Sequence, residues 1–126
     1  MKLYTYFRSS AAYRVRIAIN LKKLPYEAVP IHLTKDGGKH KSAEYRAVNP
    51  QMRVPALTLD NGETILQSLA IVEYLEETHP NPPLLPKGAI ERAHVRAVSQ
   101  IVACDIHPLN NLVTLNYLKK LGHDQA

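Results

Sequence analysis

"KLYTYFRSSAAYRVRIAINLKKLPYEAVPI" (residues 2–31) is the stretch that decides the fold. Its first six residues mix aromatic side chains with Thr and Leu and read as a short strand. Ser9 and Ser10 follow, both favoured helix N-cap types. From Ala11 to Lys23, apolar residues recur at Val15, Ala18 and Ile19 and again at Ile17 and Leu21, a wide helical stripe. Lys22, Lys23 and Pro25 close the helix with charges that suit its C-terminal dipole and with a breaker. Residues 26–31, YEAVPI, form a second strand. Pro30 inside it predicts an edge position, because proline donates no ladder hydrogen bond. Strand, helix and strand in about thirty residues is the size of a parallel crossover unit. Two serines heading an arginine-bearing helix pose the functional question: a cap, or the mouth of an anion site. The two roles are compatible.

Outward from this unit, Gly37 and Gly38 mark a loop, and Ser42 is expected to cap a short helix that ends before Asn49-Pro50. Within VPALTLDNGETIL (54–66), Asn61-Gly62 between two apolar runs is the strongest hairpin signal in the chain. SLAIVEYLEETH (68–79) is helical, with an apolar face of Leu69, Val72 and Leu75 or of Ile71 and Leu75. The order predicts an α/β domain over residues 1–79, in which one parallel unit and one hairpin share a four-stranded sheet. PNPPLLPKG (80–88) carries four of the nine prolines and reads as an interdomain linker. Within residues 89–126, positions 89–122 are one long helical pattern that Pro108 should kink or break. One and a half helices cannot bury their own apolar faces. The segment is therefore expected to be the first helices of an all-α domain, cut short.

Composition narrows the functions. With 45% hydrophobic and 21% charged residues in 126, the chain is globular. No apolar run reaches the ~18 residues of a membrane span, and the start shows no signal-peptide core. A cytoplasmic protein without a membrane partner is expected. Cys104 is the one cysteine, so an intrachain disulfide or a CxxC centre is excluded. Cys104 is expected to be buried on an apolar face. Six widely spaced histidines give no metal signature, and no metal is expected. The net charge of +5 favours anionic partners. The basic residues are scattered and form no nucleic-acid motif, which favours small carboxylates or phosphates over nucleic acid.

These residues resemble the glutathione transferase superfamily, its zeta class in particular. That class opens with a strand followed by Ser-Ser-Cys-x-Trp-Arg-Val-Arg-Ile-Ala; here the stretch runs Ser9-Ser10-Ala11-Ala12-Tyr13-Arg14-Val15-Arg16-Ile17-Ala18. Other matching pieces are KDGG (35–38), NP with VPAL (49–57), QSLAIVEYLEE (67–77), LLP (84–86) and CDIHPLNNL (104–112). The resemblance implies a thioredoxin-like β-α-β-α-β-β-α domain followed by an incomplete all-α C-terminal domain. It implies an enzyme with glutathione as cofactor, a small dicarboxylate substrate and a homodimeric family form. The reaction implied is cis–trans isomerisation of maleylacetoacetate to fumarylacetoacetate, in tyrosine and phenylalanine breakdown. Maleylpyruvate isomerisation, general zeta-class glutathione transfer and a non-catalytic thioredoxin-like binding module remain open beside it.

The same resemblance assigns site residues. Ser9 stands where the superfamily places the hydroxyl that hydrogen-bonds the glutathione sulfur; a donor near a helix N-terminus favours the reactive thiolate. Ser10 is then the cap or a second donor. Arg8 and Arg14 are expected near the site to grip substrate carboxylates, with Arg14 joining the serines in catalysis. Arg16, two residues on, diverges from Arg14 and is expected in a salt bridge. Val54-Pro55 resembles a cis-proline turn that offers the Val54 backbone to the cysteinyl amide. Gln67 and Ser68 open a helix whose free N–H groups would take the γ-glutamyl end. His40 falls where the family often has a glutamine at the glycine end. His107 and Asn111 lie in a segment that reaches the active site in the family, sometimes that of the neighbouring subunit; a histidine beside a helix break also reads as structural. Ala11 and Tyr13 replace the family's cysteine and tryptophan, so the chemistry would rest on Ser9 alone.

Overall fold

Strand β1 (Lys2–Thr5) leads through a tight turn into helix α1 (Ser10–Leu21). The computed structural model describes residues 1–123; positions 124–126 of the expected 89–126 segment lie outside them. Strand β2 (Glu27–Pro30) runs parallel to β1, with Lys2 opposite Glu27 and Thr5 opposite Pro30. β3 (Ala56–Thr58) and β4 (Thr64–Leu66) complete a sheet of order β2-β1-β3-β4. Pro30 therefore sits on an edge strand, as its missing N–H requires. Helix α2 (Ala43–Val48) is capped by Ser42, whose hydroxyl accepts from the Tyr45 N–H at 3.2 Å.

The hairpin differs in detail from the simplest Asn-Gly turn. Of that pair only Gly62 lies in the left-handed region, at φ 89°. A two-residue mirror-image turn needs both central residues there. The chain instead closes by Gly62 N–H to Leu59 O at 3.0 Å and Leu59 N–H to Glu63 O at 2.8 Å. This is a longer loop with glycine at its left-handed position.

β3 runs antiparallel to both β1 and β4, so β4 points the same way as β1. Helix α3 (Ser68–Thr78) follows β4 directly and packs against α1. The two helices share a core of Val15, Ala18, Ile19, Ile71 and Leu75 with Leu3 and Leu57 from the sheet. On α3 the Ile71–Leu75 alternative forms the buried face; Leu69 and Val72 are half-buried. On α1 the expected stripe divides. Val15, Ala18 and Ile19 go in, while Ile17 and Leu21 stay exposed. The buried side is completed by Lys22, which is not a solvated C-terminal charge. Its ammonium meets Glu76 Oε2 at 2.7 Å, His79 O at 2.5 Å and Pro82 O at 3.0 Å, with its side chain fully buried. Three donors find three acceptors, which is what a buried ammonium requires. Glu76 Oε2 also accepts from the Leu84 N–H at 3.0 Å.

The chain divides into two compact units, Met1–Leu84 and Leu85–Ala126. In the second, helix α4 (Ala89–Gln100) widens into a π-helical turn, Ile101–Ile106, and leaves the helix at Pro108 before α5 (Leu112–Lys120). Proline ends the run because it lacks an N–H and its ring collides with the preceding turn. None of these three helical segments has a buried residue. Cys104, expected to be buried, is exposed in the π-helical turn, none of whose residues is buried. Among the described residues no helix is long and apolar enough to cross a membrane.

The divided stripe predicts unequal costs. Ile19→Ala should lower the unfolding free energy by about 2–5 kcal/mol, while Ile17→Ala should stay within about 0.5 kcal/mol. Urea denaturation of the two variants measures both; equal losses would contradict the placement.

Candidate functional site

The start of α1 is built from a tight turn. The Ser9 N–H donates to Tyr6 O at 3.0 Å, which reverses the chain at Phe7 and Arg8. Ser9 is the N-cap, in extended conformation, and its Oγ accepts from the Ala12 N–H at 3.2 Å. Ser10, expected as the cap or a second donor, is the first helical residue and is exposed. The capping role therefore belongs to Ser9. A hydroxyl that accepts at its oxygen still has its one hydrogen to give, so the cap leaves Ser9 able to donate to an anion.

The start of α3 lies beside it. Gln67 is the N-cap in the left-handed region, φ 72° and ψ 122°, and Ser68 is the first helical residue. A non-glycine residue there costs on the order of 1–3 kcal/mol and persists where its surroundings hold it. Gln67 Nε2 donates to Gln51 Oε1 at 2.8 Å, tying this corner to the loop ahead of Val54. Arg14 Nη1 donates to Ser68 Oγ at 2.7 Å, tying it to α1. Neither helix carries an acidic residue in its first turn. Two positive helix ends thus open side by side with no carboxylate of their own to neutralise them.

The third wall is the loop before β3. Asn49, 1% exposed, donates from Nδ2 to Arg53 O at 2.7 Å and accepts at Oδ1 from the Gln51 N–H at 2.9 Å. Tyr45 Oη also donates to Arg53 O, at 2.7 Å. Val54 packs with Tyr6 and Tyr45, and the Val54–Pro55 bond is cis. This contact brings Val54 against the strand that feeds Ser9. Gln51, Tyr45 and Asn49 were absent from the sequence reading of the site. Asn49-Pro50 marks a helix end and a matching piece, but nothing local marks a side chain that supports a loop four residues away.

The remaining candidates fall around this frame. Arg8 occupies the exposed corner of the turn before Ser9. Among the described residues Arg16 has no salt-bridge partner; its guanidinium lies 5.1 Å from the Tyr13 ring centroid and donates to Phe7 O at 3.4 Å. Nothing acidic sits one turn away on α1 to pair with it. The His40 ring folds back over Gly38, whose φ of 96° and lack of a Cβ make room for it. Burial, and then the charge of Lys41, hold the His40 imidazole below its ordinary 6.5. At neutral pH it is an uncharged donor or acceptor. In the second unit His107 directly follows the π-helical turn, and Asn111 caps α5 by accepting from the Leu112 N–H at 2.6 Å. Among the described residues no group of three or more His, Cys, Asp or Glu is placed to hold a metal ion.

Residues 3–83 match the family described as glutathione S-transferase, N-terminal domain. The chain is 54% identical over 125 residues to a maleylacetoacetate isomerase of Pseudomonas aeruginosa, covering 99% of this chain and 59% of that one. A holo structure of a maleylpyruvate isomerase, a bacterial glutathione S-transferase of the zeta class, superposes with a TM-score of 0.92 at 49% identity, over 98% of this chain and 57% of that one. A maleylacetoacetate isomerase from Methylobacterium extorquens, with bound malonate and glutathione, superposes with a TM-score of 0.92 at 45% identity and the same coverage. The chain spans a little over half the length of these relatives.

Tyr45 tests how tightly the Val54 wall is closed. Burial, opposed by its contact with Asn49 and reinforced by Tyr4, pushes its phenol from 10.0 up to about 12. A folded value above the unfolded one means a stabilising contribution fully present below pH 10 and lost as pH rises toward 12. Alkaline absorbance titration of the wild type minus Tyr45→Phe should isolate that late ionisation. A difference midpoint near 10 would contradict the buried placement.

Proposed function

The chain belongs to the glutathione S-transferase family, and on that footing we propose that its first unit binds glutathione and serves the cis–trans isomerisation of maleylacetoacetate to fumarylacetoacetate. One observation carries the reading most: Ser9 caps α1 through its oxygen lone pair and keeps its hydrogen, beside a second helix start held by Arg14 and Ser68. The residues present suit the tripeptide. The N–H groups at the start of α3 and the Ser68 hydroxyl suit the γ-glutamyl carboxylate. The Val54 backbone suits the cysteinyl amide, and the neutral His40 would stand at the glycine end. His107 and Asn111, on the second unit, are the further cofactor candidates that the resemblance assigns. Bound glutathione supplies a thiolate nucleophile that adds reversibly to the substrate's double bond and so permits rotation about it.

The protein's own part is to hold charge. The Ser9 hydroxyl donates to the sulfur and, with the α1 dipole, lowers the free energy of the thiolate relative to the thiol. Arg14, bonded to Ser68, orients that hydroxyl toward the carboxylate end. Arg8, at the exposed turn, is the candidate for the substrate's carboxylates. Ser10, next to Ser9, is a further donor within the same turn. Likeness to a zeta-class maleylpyruvate isomerase supports maleylpyruvate, the shorter diacid, as the second candidate substrate. A cytoplasmic place in aromatic amino-acid breakdown and a homodimer complete the proposal. Exposed Val98, Ile101, Val102, Val113, Tyr117 and Leu121 on the second unit support the dimer.

Three substitutions at Ser9 separate cap from donor. Ser9→Ala loses both, costing about 0.5–2 kcal/mol of stability and roughly 10- to 100-fold in kcat/KM with glutathione. Ser9→Asp still caps, so stability stays near wild type, but it places a negative charge beside the sulfur and should abolish activity. Ser9→Thr keeps cap and donor and should retain most of the rate. Isomerase assays on both diacids at saturating glutathione, with urea denaturation in parallel, read these outcomes. Full activity in Ser9→Ala would sink the thiolate role. Absence of glutathione binding by calorimetry would leave a non-catalytic binding module as the function.

A further inference from the structure

The polar contacts between α1 and α3 form a regular pair. Arg14 bonds Ser68 at 2.7 Å, and Lys22 bonds Glu76 at 2.7 Å. Each joins residues 54 positions apart. The two ties are thus eight residues apart on both helices, about 12 Å of helix axis. Ties at equal spacing on both partners hold parallel helices in one longitudinal register, and they flank the apolar contact of Val15, Ala18 and Ile19 with Ile71 and Leu75. Apolar packing tolerates sliding and repacking at modest cost. A buried ion pair does not, because any shift strands two desolvated charges. Such pairs add little net stability over well-packed apolar residues; their best-attested use is to specify register.

We propose that Lys22 and Glu76 are positioning residues for the anion site, setting how the helix starts at Ser9 and Ser68 stand to each other. They lie toward the far ends of both helices, about 12 Å of helix axis from Arg14 and Ser68. They act through Arg14, whose bond to Ser68 at 2.7 Å is made at this register. The same carboxylate holds the Leu84 N–H, and the ammonium holds the carbonyls of His79 and Pro82. Chain leaving α3 is thereby fastened to the end of α1, which resists sliding of α3 along it. The inference rests on the glutathione reading given above.

A single Lys22→Met strands the Glu76 carboxylate and can unfold the protein, so the deciding variant is Lys22→Met with Glu76→Gln. It removes both charges and keeps an acceptor for Leu84. The full chain is compared with wild type by urea denaturation, by calorimetry with glutathione and by the pH dependence of the bound thiol. Expected is a cooperatively folded double variant that binds glutathione about tenfold more weakly, with a raised thiol pKa. A folded double variant with wild-type affinity and thiol pKa overturns the positioning role and leaves the pair purely structural. Failure of the wild type to bind glutathione overturns the reading beneath it instead, so the two failures are told apart.

Discussion

Everything at the candidate site follows from the direction of two strands. β1 and β4 point the same way because β3 opposes both. The helices that follow them lie against each other and start at the same edge of the sheet. Side-by-side parallel helices set like dipole ends together, close to half a positive charge at each N-terminus. That juxtaposition is unfavourable by itself. Apolar burial between the helices offsets it, and the Arg14–Ser68 and Lys22–Glu76 ties hold it in place. The unfavourable term is what makes the site useful. An anion placed between the two ends gains from both dipoles, and the fold relieves part of its own repulsion by binding one. The carboxyl ends of parallel strands are a general location for ligands, and here the reason is visible in the charges.

Much of this frame could be read in the residues. The crossover unit, the edge position of Pro30, the Ser42 cap and the hairpin at Gly62 each rest on a local rule about φ, a missing N–H or a short side chain. What escaped was decided by partners far along the chain. Lys22 continues the spacing of Ala12, Val15, Ala18 and Ile19, so its place on the inner face was available from periodicity. Its charge argued the other way, and only Glu76, fifty-four residues on, reconciles the two. Arg16 read as half of an ion pair because arginine so often is, but an aromatic ring three residues back on α1 is nearer than any carboxylate on that helix. Ser9 and Ser10 could not be ranked as caps by type. The turn from Tyr6 settles which residue takes extended φ and ψ and which enters the helix.

The two units stand differently toward the proposed chemistry. The first owns a closed core with Leu3, Val15, Ile19, Leu57, Ile71 and Leu75 at 0% exposure. The groups proposed to face the ligand are backbone amides, a hydroxyl and helix ends, carried on elements that pack on that core. The described helices of the second bury no residue, and Asn111 is held there as the cap of α5. Recognition of a tripeptide through fixed amides needs little adjustment and suits the first unit. Gripping a small diacid and holding it near a thiolate needs side chains on more than one wall. The two tasks therefore make separate demands on the chain. Affinity for the cofactor tests the geometry proposed for Ser9, Val54 and Ser68, whereas discrimination between diacids tests the side chains that would surround the substrate. The feature common to both is the one hydrogen of Ser9 that the α1 cap leaves uncommitted.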